Sequence, residues 1–164
     1  MAVSEEVRDA LNAQVRRELQ AAYLYLSMAN WFEEESLPGF ASWMRAQSEE
    51  EREHAFRIID HLHDRGARVE LSALEAPAAD FGSPVDAVRA ALEHERMVTD
   101  HIHDLYETAR DVGDHPATVM LEWFVDEQVE EEDTFQTLVD HLERDGSGAS
   151  LLVLDGKLEA RGEA

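Results

Sequence analysis

An all-α fold, a four-helix bundle with one long crossover and a short fifth C-terminal helix, is predicted by three features of this 164-residue chain. Four long segments carry apolar residues at alternating three- and four-residue spacing, the stripe of an amphipathic helix. Pro38-Gly39 and Gly113 leave only short links inside the first and second helix pairs, which makes the helices of each pair antiparallel. The stretch from Gly66 to Ser83 is too long for a hairpin. Eighteen extended residues reach roughly 60 Å, and a 27-residue helix is about 40 Å long, so this stretch can return along the whole bundle. The third helix then runs parallel to the second.

The first helix is predicted over about residues 5–34, with Ser4 as N-cap and Glu5-Glu6 complementing the helix dipole. Its stripe is Leu11, Val15, Glu18, Ala22, Tyr25, Ala29 and Phe32. The second, about 39–65, carries Phe40, Met44, Gln47, Glu51, His54, Ile58 and Leu62 and stops at Gly66, a usual left-handed C-terminal residue. In the crossover, Val69-Glu70-Leu71 reads as briefly extended, and Pro77, Gly82 and Pro84 oppose a continuous helix.

The third helix, about 84–112, opens with Ser83-Pro84 and has the stripe Val88, Ala91, Glu95, Val98, Ile102, Leu105 and Ala109. The fourth, about 115–145, runs from Asp114-His115-Pro116 to Asp145-Gly146, with Ala117, Leu121, Phe124, Gln128, Glu131, Phe135, Leu138 and Leu142 inward. Beyond Gly146-Ser147-Gly148, residues 149–160 contain Leu151-Leu152-Val153-Leu154. That piece is too short to be stable alone and too apolar for water, so it is expected to be buried against another surface, such as a second subunit. Residues 1–164 read as one domain.

Composition narrows the function. No apolar run is long enough to span a membrane, and the first residues, Met-Ala-Val-Ser-Glu-Glu, lack the features of a secretory signal. With no cysteine, neither disulfides nor thiolate metal sites are available, and the cytoplasm is the expected location. Asp plus Glu number 37 against 14 Lys plus Arg, a formal charge of −23, with Lys157 the only lysine. Such a chain repels nucleic-acid phosphate and anionic lipid and attracts cations. An acidic surface suited to high-salt cytosol explains much of the excess, but not acids placed in core stripes.

Those acids are grouped. Glu18, Glu51 with His54, Glu95, and Gln128 with Glu131 each fall near the middle of their helix, so in a bundle of similar helices they share one layer. Glu51 and His54 are three residues apart, on one helix face, a spacing that suits two ligands on one metal. Four carboxylates and an imidazole in a dry layer cannot all stay ionised and unpaired, and cations resolve the conflict. A hard oxygen set with one imidazole and no thiolate matches a di-iron or di-manganese carboxylate centre better than structural zinc. The competing reading is a protonated, hydrogen-bonded core network. Glu50, Glu127 and Glu130 flank the layer as either an adjoining third metal position or the solvated faces of Glu-rich helices. Tyr25 is either an electron donor or core packing, and Trp123 reads as packing. His61, His63, His94, His101, His103, His115 and His141 lie off the stripes and read as surface.

Glu18, Glu51-x-x-His54, Glu95 and Gln128-x-x-Glu131, one set per helix, resemble the ligand pattern of the bacterial non-haem ferritins, and the resemblance covers nearly the whole chain. It implies a ferritin-like fold, a hollow homo-oligomeric shell of 24 subunits, and oxidation of Fe(II) by dioxygen or hydrogen peroxide followed by storage as a ferric mineral. It implies that Glu18, Glu51 and His54 hold the first iron, and that Glu51, Glu95 and Glu131 hold the second, with Glu51 bridging. Gln128 would stand by the second, and Glu50, Glu127, Glu130 and Glu131 would form a third iron site. Tyr25 and Trp123 match the family's site tyrosine and nearby tryptophan, and the last segment matches a fifth helix around the shell's four-fold axis.

Bacterioferritins are similar but carry Glu-x-x-His in the fourth helix too, and a haem-ligating methionine after the second-helix glutamate. This chain has Gln128-x-x-Glu131 and Arg52 there, so no haem is expected. Two other readings compete on function: a non-catalytic acidic helical oligomer with a structural metal site, and a di-metal oxidase that forms no shell.

Overall fold

The computed structural model describes residues 3–145 and 147–162. It contains α1 (Glu5–Glu34), α2 (Pro38–Asp64), α3 (Pro84–Asp111), α4 (His115–Arg144) and α5 (Gly148–Gly162), and no strand among the described residues. The predicted helices agree with these to within two residues at each end. Gly146, expected to end the fourth helix, lies outside the described residues, as do the first two and last two residues of the proposed domain.

Local chemistry sets the boundaries. The side chains of Ser4, Ser83 and Asp114 accept from the backbone N–H groups of Val7, Asp86 and Ala117, satisfying donors that helix starts leave open. Gly66 and Gly113, at φ of 66° and 72°, let the chain turn left-handed after α2 and α3. α2 has no side-chain cap of its own at Leu37; the Asp155 carboxylate of α5 accepts from the Phe40 N–H at 2.9 Å instead. A Cβ added to Gly39 would lie 1.8 Å from the Asp155 carbonyl oxygen, so glycine is required for this approach.

The crossover runs along α1. Asn12 bridges to the Arg68 carbonyl and the Glu70 N–H, Arg16 donates to the Ala73 carbonyl, Gln20 bridges both ways to the Glu75 backbone, and Ser27 donates to the Ala78 carbonyl. These contacts advance together, so the crossover travels in the direction of α1 and starts α3 at the end where α2 began. α3 is thereby parallel to α2. Val69-Glu70-Leu71 forms no strand; the Asn12 side chain of α1 accepts from the Glu70 N–H where a partner strand would.

Every predicted stripe residue is buried except Ala22, whose neighbour Ala21 fills the core instead. The apolar core divides in two. One cluster includes Val15, Ala55, Ile58, Val98 and Phe124; the other includes Ala21, Tyr25, Met44, Ala91 and Phe135. The mid-helix polar residues lie between them. α5 packs Leu151, Leu154 and Leu158 against the second cluster, while Leu152 and Val153 remain 64% and 60% exposed, so the segment expected to be buried is only half covered within one chain.

Candidate metal centre

Glu18 from α1, Glu51 and His54 from α2, Glu95 from α3, and Gln128 and Glu131 from α4 are all buried, none more than 5% exposed. Each stripe delivers its polar residue inward because the apolar residues a turn before and after it must be buried. Glu18, Glu51 and His54 each offer a donor atom within 4.8 Å of the other two. His54 Nδ1 is 3.8 Å from Glu18 Oε2 and 3.6 Å from Glu51 Oε2. These separations are too long for hydrogen bonds, but one cation with bonds of about 2.1 Å spans them. Glu18 Oε2, Glu51 Oε1 and His54 Nδ1 are buried without a hydrogen-bond partner. A folded core rarely leaves such groups unsatisfied, and here they belong to three side chains that meet.

The other side of the layer is already hydrogen-bonded. The Tyr25 hydroxyl donates to Glu95 Oε1, and Gln128 Nε2 lies 3.1 Å from Glu95 Oε2 and 3.1 Å from Thr99 Oγ1. His54, Glu127 and Glu131 form a second group with donor atoms within 4.8 Å, and Glu127 is half-buried. Glu50 and Glu130 are exposed and belong to neither group among the described residues; Gln47 donates to Glu50 at 2.8 Å.

The layer retains protons when no metal is bound. Burial, with the charge of Glu95 and Glu50, raises the Glu131 carboxyl to about 8. Burial raises Glu95 to about 7 against the hydrogen bonds from Tyr25 and Gln128. Burial also holds Glu51 well above the usual carboxylate range, despite its contact with His54. For His54, burial opposes the charged form, but Glu18 and Glu51 overcome it and push the imidazole to about 11. Tyr25 is held well above 10 by burial and the neighbouring Glu95 charge. A hard cation bound among these carboxylates and the imidazole would displace their protons.

Several residues here escaped the sequence reading. His94 is half-buried rather than on the surface; its ring meets Tyr25 edge-on at 6.1 Å and its Nε2 is buried without a partner. His61 and His101 are also partly covered. Trp123 does pack, with its ring 5.2 Å from the His54 ring and the Arg57 guanidinium 3.8 Å above its face. Gln14, fully buried, donates to Glu18 Oε1 at 2.7 Å. Its place one turn before Glu18 and three residues after Leu11, on the inward face of α1, was the available signal.

The chain matches the family described as Ferritin-like domain over residues 8–145. It is 40% identical over 160 residues to a bacterial non-heme ferritin of Staphylococcus epidermidis, covering 97% of this chain and 96% of that protein. A bacterial non-heme ferritin of Staphylococcus aureus is 39% identical over 152 residues, covering 93% and 92%. Among solved structures, the open-pore ferritin of the hyperthermophilic archaeon Archaeoglobus fulgidus superposes with a TM-score of 0.95 at 42% identity, over 96% of this chain and 98% of that one.

Proposed function

The chain belongs to the ferritin family, and on that premise we propose that the mid-bundle layer is its ferroxidase centre, with Glu18, Glu51 and His54 taking the first Fe(II) and Glu51, Glu95 and Glu131 the second. The protein stores iron and oxidises Fe(II) to Fe(III). The observation that carries the site assignment is the buried triad of Glu18, Glu51 and His54, whose donor atoms lie close together and each of which has a buried polar atom without a hydrogen-bond partner.

Iron is the substrate. Glu51, whose carboxylate feels the charges of both Glu18 and Glu95, is proposed to bridge the two metal positions. Carboxylate oxygens are hard anionic ligands that favour Fe(III) over Fe(II), so the layer assists the loss of an electron from each metal. Two Fe(II) supply two electrons. Dioxygen accepts them with two protons to give hydrogen peroxide, or hydrogen peroxide accepts them with two protons to give two waters. Gln128 and Tyr25 hold Glu95 in place for the second metal, and Tyr25 is proposed as a further electron donor. Glu50, Glu127 and Glu130, with Glu131, are proposed as a third iron position; the grouping of Glu127 and Glu131 with His54 supports it for those two glutamates.

The ferric product then moves to the cavity of a 24-subunit shell and mineralises, and the compartment proposed is the cytoplasm. No helix among the described residues is long and apolar enough to cross a membrane. The formal charge of −23 per chain supports electrostatic attraction of Fe(II). Stopped-flow absorbance after mixing metal-free protein with Fe(II) in air, beside size analysis of the same sample, tests this. The expected result is a fast transient followed by ferric absorbance in a large particle; oxidation no faster than in buffer overturns it.

A further inference from the structure

We propose that Gln14 is a positioning residue for the iron substrate, acting through Glu18 and itself held by Arg17. Gln14 Nε2 donates to Glu18 Oε1 at 2.7 Å, and Gln14 Oε1 accepts from Arg17 Nη1 at 3.2 Å. All three residues lie on α1 at spacings of three and four, so one helix face holds the relay. The amide orientation follows from chemistry. A guanidinium only donates, so the end of Gln14 facing Arg17 is its oxygen, and the amide nitrogen faces the carboxylate.

The relay makes the two oxygens of Glu18 unequal. Oε1 is committed to a short hydrogen bond from a residue with no solvent exposure, whereas Oε2 is buried without a partner and lies 3.8 Å from His54 Nδ1. Glu18 therefore presents Oε2 as its open oxygen to the first metal, in an orientation set before the metal arrives. Arg17 polarises the amide and prevents it from rotating away. A fully buried glutamine in an apolar stripe between Leu11 and Glu18 has no packing advantage over leucine, and its two hydrogen bonds account for its presence.

This inference rests on the assignment of Glu18 to the first metal position, and the test separates the two. Metal-free assembled protein is titrated anaerobically with Co(II) alone, reading the d–d absorbance, which reports coordination geometry and affinity together. Gln14→Met keeps side-chain length and removes the donor. It is expected to weaken the first Co(II) by about 10-fold or more, the usual effect of losing an outer-shell partner, and to change the d–d bands because both Glu18 oxygens become free to chelate. Arg17→Met, at a partly exposed position that tolerates change if Gln14→Met fails to fold, is expected to shift both readouts less, in the same direction. Arg17→Lys is expected to restore them. Affinity and bands unchanged in Gln14→Met, or in Arg17→Met if only that variant folds, overturn the relay, provided Glu18→Ala loses the first Co(II). If Glu18→Ala binds as the parent does, the site assignment itself fails.

Discussion

The Tyr25 hydroxyl donates to the Glu95 carboxylate from a ring with no solvent exposure, tying α1 to α3 at the height of the buried polar layer. Phe135 and His94 pack on the same ring, at 5.7 and 6.1 Å between centroids. Tyr25→Phe preserves that packing and leaves one oxygen of Glu95 without its donor. Fe(II) oxidation in stopped-flow is expected to slow by about 10-fold, and metal-free stability in thermal unfolding to fall by about 1 kcal/mol. An unchanged oxidation rate would reduce Tyr25 to packing.

Removing a proposed ligand is a more severe change than removing a supporting bond. Glu18→Ala and His54→Ala are each expected to slow rapid oxidation by about 100-fold or more, beyond the usual effect of losing an outer-shell partner, while particle size stays that of the parent. The check is paired stopped-flow and size analysis, and rates equal to the parent in both variants would sink the site assignment.

Proton linkage makes the metal-free protein sensitive to pH. Glu131 and Glu95 titrate at about 8 and about 7 when folded, above the ordinary 4.5 of the unfolded chain. The folded state therefore binds more protons than the unfolded state across that interval. Their stabilising contribution is complete below pH 4.5 and is lost as pH rises through 7 to 8. Glu131→Gln removes one titration and should flatten the fall of Tm between pH 5 and 8.5. Parallel Tm profiles for parent and variant would count against a protonated Glu131.

The same protons must leave when metal enters. Zn(II), which does not change oxidation state, is expected to release more than one proton per chain at pH 7, because His54 at about 11 and Glu131 at about 8 are largely protonated there. A pH-indicator titration measures this directly, and release of no protons would mean that the layer binds metal without using these groups.

At the other end of α2, Asp155→Ala is expected to cost about 1 kcal/mol, the usual effect of losing an N-terminal cap, read as a lower Tm. Gly39→Ala should do more. Its Cβ meets the α5 backbone, so α5 must move away, and faster hydrogen exchange across residues 148–159 is the expected signature. Parental exchange in Gly39→Ala would show that the contact relaxes without displacing the helix.

Much of this was legible in the chain itself. The three- and four-residue periodicity selected nearly every buried position, Ser4, Ser83 and Asp114 marked helix starts, and Gly66 and Gly113 marked ends, because these are interactions within one turn of backbone. The position of Glu18, Glu51, His54, Glu95, Gln128 and Glu131 at mid-helix predicted one layer, since helices of similar length packed side by side share their midpoints. Other features were invisible. His94, next to Glu95 but off the stripe, is covered by Tyr25 of a different helix. Leu152 and Val153 stay exposed because α5 presents only one face to α2.

Periodicity thus decided which residues enter the layer, a consequence of local geometry that a single helix carries with it. Packing of the four helices decided which oxygens within the layer remain open. Glu95 is held by Tyr25 and Gln128 from two other helices, and Glu18 Oε2 and Glu51 Oε1 are left without partners. A hydrogen bond forms or fails over a few tenths of an ångström, and only the assembled bundle sets distances between helices at that scale.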